Sequence, residues 1–145
     1  MSLKNSLLNT QDFTSVFIIR FAVAAVFLSE GLQKFIRPEV TGVGRIEQIS
    51  FVWPEVTAHA VGAFEIIFGL FVLFGFWTRL AVLPLITVMI VAIYTTKIPL
   101  LSSEGFWVAA HAARTDFLLF CSCLFLLIVG AGRLSLDWSL THGRR

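Results

Sequence analysis

Four stretches of this 145-residue chain are long and apolar enough to cross a bilayer: Thr14 to Phe35, Ala58 to Phe76, Leu80 to Thr96, and one that begins between Val108 and Phe117 and ends near Gly132. At about 1.5 Å per residue, each reaches across a hydrocarbon core roughly 30 Å thick. With 57% hydrophobic and 14% charged residues and a mean hydropathy of +0.87, the chain carries more apolar surface than a soluble domain of this length can use. The first stretch is not a cleaved signal sequence, because its apolar run is too long, Asp12 precedes it, and Arg20, Glu30 and Lys34 interrupt it.

The connections predict an antiparallel arrangement. The second and third stretches are joined by Trp77, Thr78 and Arg79 alone, which permits only a tight reversal and puts Pro84 in the first turn of the third helix, where a missing N–H costs least. Two connections are longer. In Ile36 to Thr57, Val43, Ile46, Ile49 and Trp53 recur at near-helical spacing and predict a short amphipathic segment lying on the bilayer, whereas Lys97 to Trp107, with Pro99 and Gly105, reads as a loop. The expected fold is all-α: one integral membrane domain over residues 1–145, an antiparallel four-helix bundle with helices at about 14–35, 58–76, 80–96 and 110–132, without internal repeats.

An even number of crossings puts both termini and the Arg79 turn on one side. Trp77 and Trp138 then mark one interface and Trp53 and Trp107 the other. Basic residues divide five to five between the sides, while Glu39, Glu47, Glu55 and Glu104 crowd the long-loop side and the tail ends in Arg144 and Arg145. Both termini are accordingly expected in the cytoplasm and the protein in the cytoplasmic (inner) membrane.

Glu65 is the residue least at ease in such a setting. It lies mid-way along an apolar stretch, with Gly62 and Gly69 at i−3 and i+4 on its own face, so that a neighbouring helix can approach closely and the carboxylate points into protein. An ionisable residue inside a membrane segment is a functional-site hypothesis by default. Other polar groups gather at the same end: Glu30 and Lys34 close the first helix, His59 opens the second, and His111, Arg114 and Asp116 open the fourth. Arg20, Phe27, Glu30, Gly31 and Lys34 share an arc of roughly 120° on the first helix, and Asp116, Cys123 and Gly130, spaced by seven, form the inward face of the fourth. A polar pocket beneath the long loops follows.

Each of these groups also admits a plainer reading. Glu30 and Lys34, at i and i+4, suit a helix-end ion pair, and a buried Glu65 takes up a proton or finds Lys34, Arg20 or Arg114 as a partner. Arg20 reads as the structural partner of Asp137 or Asp12, with Arg79 at the same end. His59 and His111 lack a ligand spacing, so no metal or haem is expected. Cys121 and Cys123 diverge by about 200° around a helix and cannot form a disulfide with each other; small apolar packing suits them better. No zinc site, phosphate loop, serine triad or nucleic-acid face is present in the sequence.

Taken together, Arg20 through Glu30-Gly31-Leu32-Gln33-Lys34-Phe35, Glu65-Ile-Ile-Phe-Gly69 with Gly75 and Thr78-Arg79, and Gly130-Ala-Gly-Arg-Leu-Ser-Leu-Asp137 resemble the DoxX family over about residues 14–138. That resemblance implies a four-helix membrane bundle. It also implies kinship with proteins similar to the small membrane subunit of a thiosulfate:quinone oxidoreductase, or sitting in membrane-bound oxidoreductase complexes. The fourth-helix acid of the family pattern, often glutamate, corresponds to Asp116. Two functions are compatible with the residues. In one, an oxidoreductase subunit takes a non-covalently bound quinone into its pocket: Glu65 or Asp116 serves as the catalytic proton-moving acid, Lys34 or Arg114 hydrogen-bonds a quinone oxygen, and Glu30, His59 and His111 complete the site. Electrons would then come from a soluble or periplasmic partner. In the other, the chain is a non-catalytic anchor, scaffold or assembly factor. A second copy of the chain is a further candidate partner.

Overall fold

In a computed structural model, residues 12–41 and 53–142 are described, and they form helices joined by short turns. In chain order these are α1 (Val16–Ile36), α2 (Pro38–Thr41), α3 (Pro54–Phe74), α4 (Thr78–Ala92), a π-helical turn (Ile93–Lys97), α5 (Ile98–Glu104), α6 (Phe106–Val129) and α7 (Leu136–His142). The expected amphipathic segment lies outside the described residues except for Trp53. Four elements are long and apolar enough to span a membrane: α1, α3, the continuous Thr78–Glu104 unit, and α6. Each consecutive pair packs side by side, and α6 returns to α1 to close the ring.

The core is one apolar cluster running down the bundle axis, built on Val23, Ala24, Phe27, Val72, Leu85, Cys123 and Leu126. Cys123 is buried and Cys121 exposed, both as free thiols, as their opposite directions on α6 require. Around the outside, Phe21, Ile67, Phe74, Leu118 and Ile128 face outward. In lipid such a surface costs nothing, so this is the inverse of a soluble helix bundle.

Glycine sets the closest approach, between α1 and α3. A Cβ on Gly31 would lie 2.8 Å from the carbonyl oxygen of Gly62, and one on Gly62 would lie 3.2 Å from that of Gly31. The two backbones touch because neither residue has a side chain, as the glycine-flanked face of Glu65 predicted. The reversal after α3 ends in a left-handed Gly75 (φ 65°), with the Gly75 amide bonded to Val72 O and the Phe76 amide to Phe71 O, a Schellman closure.

The structure corrects the boundaries in three places. The α3–α4 reversal occupies Gly75 to Trp77, about two residues earlier than the sequence suggested, so Pro84 falls inside α4 instead of its first turn. The region from Lys97 to Trp107 is not a loop: helix continues to Glu104, and Gly105 alone (φ 87°) turns the chain into α6. Helix also starts at Pro54 in α3 and at Phe106 in α6, four residues ahead of each expected start.

The π turn has an identifiable cause. Pro99 has no N–H to offer the carbonyl of Thr95 and its ring crowds that carbonyl. The turn before it widens, and the Ile98 amide bonds back to Ile93 O. Thr95 and Thr96 donate their hydroxyls to Val91 O (2.8 Å) and Ala92 O (2.6 Å), which keeps the neighbouring carbonyls satisfied.

Candidate functional site

A cavity of about 510 Å³ opens among the four spanning helices at the end away from the chain termini. Its apolar wall includes Val26, Phe27, Val61, Val88, Met89 and Leu119, and its charged lining is Glu30, Lys34, Glu65, Lys97 and Asp116. Two ion pairs cross it. The Lys34 ammonium donates to Glu65 Oε2 at 2.6 Å and to the Glu30 carbonyl at 3.4 Å, and the Lys97 ammonium sits 3.2 Å from Asp116 Oδ2.

The first pair is deeply enclosed, with side-chain exposures of 11% and 4%. Its geometry follows from the glycine contact, because Gly31 and Gly62 lie one turn from Lys34 and Glu65 respectively and bring α1 and α3 close enough for one ammonium to reach one carboxylate. The second pair is looser and joins the π turn to α6.

The pairings differ from several that residue spacing suggests. Glu30 and Lys34 do not form a side-chain ion pair: Lys34 turns to Glu65, and among the described residues Glu30 has no ion-pair partner. Nor does Arg114 serve Glu65. It lies exposed, 3.4 Å from His111 Nδ1, and neither residue lines the cavity. His59 also faces outward, its Nδ1 2.7 Å from the Glu55 carbonyl and its ring against Phe35. Lys97, which the sequence places in a loop, is carried to Asp116 by helix that continues through it. The apolar residues that resume at Ile98, Leu100 and Leu101 and the need of Asp116 for a cation are the signals in the sequence. No group of three or more His, Cys, Asp or Glu able to hold a metal ion occurs among the described residues.

At the opposite end, three charged side chains satisfy helix termini. Arg20, 2% exposed, donates to Leu73 O (2.9 Å) in the last turn of α3 and to Ala131 O (2.6 Å) just beyond α6. Arg79 donates to Ile128 O at 2.8 Å, in the last turn of α6. Asp137 does the reverse, accepting the amides of Trp77 (2.7 Å) and Thr78 (3.0 Å) at the start of α4. Cations thus meet carbonyl ends and the anion meets an amide end, as the helix dipole favours. The expected direct Arg20–Asp137 or Arg20–Asp12 pair does not form; Asp12 is 3.7 Å from Arg133 instead. Burial pushes the Asp137 carboxyl up, while the two amides and the Arg20 charge hold it back.

A sequence model of the family described as DoxX matches residues 15–98. An uncharacterized membrane protein of Mycobacterium tuberculosis is 44% identical over 141 residues, covering 93% of this chain and 86% of its own length. An uncharacterized protein of Haemophilus influenzae is 28% identical over 131 residues, covering 85% and 81%. No solved structure gives a significant match.

Proposed function

The chain belongs to the DoxX family, and from that footing we propose that it is a membrane subunit of an oxidoreductase system whose inter-helix cavity binds a quinone. The observation that carries this reading is the cavity itself: apolar walls, a volume within the range of small-molecule sites, and two ion pairs in its lining. An apolar ring and the start of its tail suit the walls, and the ammonium groups of Lys34 and Lys97 are hydrogen-bond donors for a ring oxygen. Glu65 and Asp116, each held against a lysine, are the acids available to exchange protons with that oxygen. The redox chemistry is the quinone's own, and electrons come from a soluble or periplasmic partner protein. The membrane is the cytoplasmic membrane, with both termini inside.

One feature favours the scaffold alternative, in which the chain anchors or assembles a partner: the buried Lys34–Glu65 pair joins two helices and would fix bundle geometry without any ligand. Replacing Glu65 alone would orphan the buried Lys34 charge, so the informative variant exchanges the second pair as a unit. In lipid nanodiscs, Lys97→Gln with Asp116→Asn should retain the parent's thermal stability within a few degrees and bind duroquinone at least about tenfold more weakly. Equal duroquinone affinity in parent and variant, or no binding by either, would leave the scaffold reading in its place.

A further inference from the structure

The polar lining of the cavity is unbalanced in a way that bears on its ligand. Six threonines line it, and four of them spend their hydroxyl hydrogens on main-chain carbonyls four residues back: Thr41 on Arg37 O, Thr87 on Leu83 O, Thr95 on Val91 O and Thr96 on Ala92 O. What these four turn toward a ligand is oxygen lone pairs. The ammonium groups, the donors for a ring oxygen, are partly committed. Lys34 has placed two of its three hydrogens, on Glu65 and on the Glu30 carbonyl, and Lys97 is neutralised by Asp116.

Glu30 is the remaining charged group. It lines the cavity with no ion pair among the described residues, so the lining carries three carboxylates against two ammonium groups. An ionised carboxylate is an acceptor only, with two oxygens to fill. A ligand that brings hydrogen-bond donors meets these needs. One that brings only carbonyl oxygens leaves Glu30 and the threonine lone pairs unanswered while displacing water, which is where selectivity between near-isosteres arises.

Building on the proposed quinone site, we infer that the cavity selects the hydroxyl-bearing, reduced form of its ligand, an aromatic diol of the hydroquinone class, with Glu30 as the principal acceptor. The oxidised quinone, with the same ring and the same apolar contacts, is the weaker ligand. A subunit of this kind favours occupancy by the reduced member of the couple, whichever direction its partner drives the electrons.

The test uses the full chain in lipid nanodiscs under anaerobic conditions and three probes with one ring: duroquinol, duroquinone and the dimethyl ether of duroquinol. The ether keeps the oxygens and the apolar body but has no donor. Duroquinol is expected to bind roughly tenfold more tightly than either of the others. Glu30→Gln, which supplies N–H donors where the parent has none, should bring duroquinol and duroquinone to within about threefold of each other. Equal affinities for all three probes in the parent, or tighter binding of duroquinone, would overturn the donor preference while leaving a ligand pocket in place. An unchanged preference in Glu30→Gln would remove Glu30 from its role. Failure of all three probes to bind would remove the pocket reading itself.

Discussion

Arg20 shows how a charge can be buried in an apolar bundle without an ionic partner in contact. Its guanidinium is held by two main-chain carbonyls that helix ends leave over, so the desolvation cost is offset by hydrogen bonds that lipid could not provide. Lysine has a single point of donation and cannot span Leu73 O and Ala131 O together. Arg20→Lys should therefore destabilise the folded protein by about 2 kcal/mol, and Arg20→Leu by more, as read from thermal unfolding in one detergent. Loss of less than about 0.5 kcal/mol in both would show that the two carbonyls are satisfied in another way. Asp137 gives a pH-dependent counterpart. Because burial raises its folded-state pKa above the ordinary value of about 4, its contribution is fully present below that value and is lost as pH rises through the folded pKa. The melting temperature of the parent relative to Asp137→Asn should accordingly be more favourable at pH 4 than at pH 7. A difference that grows with pH would mean that the amides and Arg20 outweigh burial.

Between elements, the packing of α1 on α3 is the contact on which the deeper half of the cavity depends. Gly31 and Gly62 let the helices approach, and that approach is what brings Lys34 to Glu65. Gly31→Val would press branched carbons against the Gly62 carbonyl and Ile66, at a cost of about 1–3 kcal/mol, and would pull the ion pair apart. Gly105→Ala is a useful contrast. Nothing lies within 4 Å of its added carbon, but φ is 87°, so the cost is backbone strain of about 1 kcal/mol and the cavity stays intact. Ligand affinity measured beside stability separates the two: Gly31→Val should lose both and Gly105→Ala only stability. The π turn acts on the other half of the site, where its extra residue sets the facing of Lys97 toward Asp116.

For the whole molecule, the two ends of the bundle have different jobs. One end is closed by Arg20, Arg79 and Asp137 against helix termini, and the other is opened by a cavity with two ion pairs. The proposed orientation puts the closed end, where the described residues begin and end, on the cytoplasmic side. With Cys121 and Cys123 replaced by alanine, a single cysteine at Ser103 should react with a membrane-impermeant maleimide added from outside, and one at Ser139 should not. The reverse pattern would put the cavity mouth in the cytoplasm. The same cysteine-free background should fold and bind as the parent does, since Cys123 contributes small apolar packing worth about 1 kcal/mol and Cys121 lies on the surface.

Apolar runs, glycine spacing and charge placement in the sequence were enough to determine the class of fold, the antiparallel order, the inward faces of α1 and α6, and the end of the bundle at which polar groups collect. These properties are periodic or local, and a bilayer leaves a twenty-residue apolar segment few alternatives to a helix. Partner choice was decided by tertiary structure alone. Glu30, Arg20 and Arg114 all had plausible counter-ions by spacing, yet Lys34 turned to Glu65, Arg20 to carbonyls and Lys97 to Asp116. A charged side chain several bonds long reaches many positions, and which one it takes depends on how closely the backbones approach and on which helix-end groups remain unsatisfied. Those distances are set between elements, by Gly31 against Gly62 and by the π turn before Pro99, and no single segment of the sequence contains them.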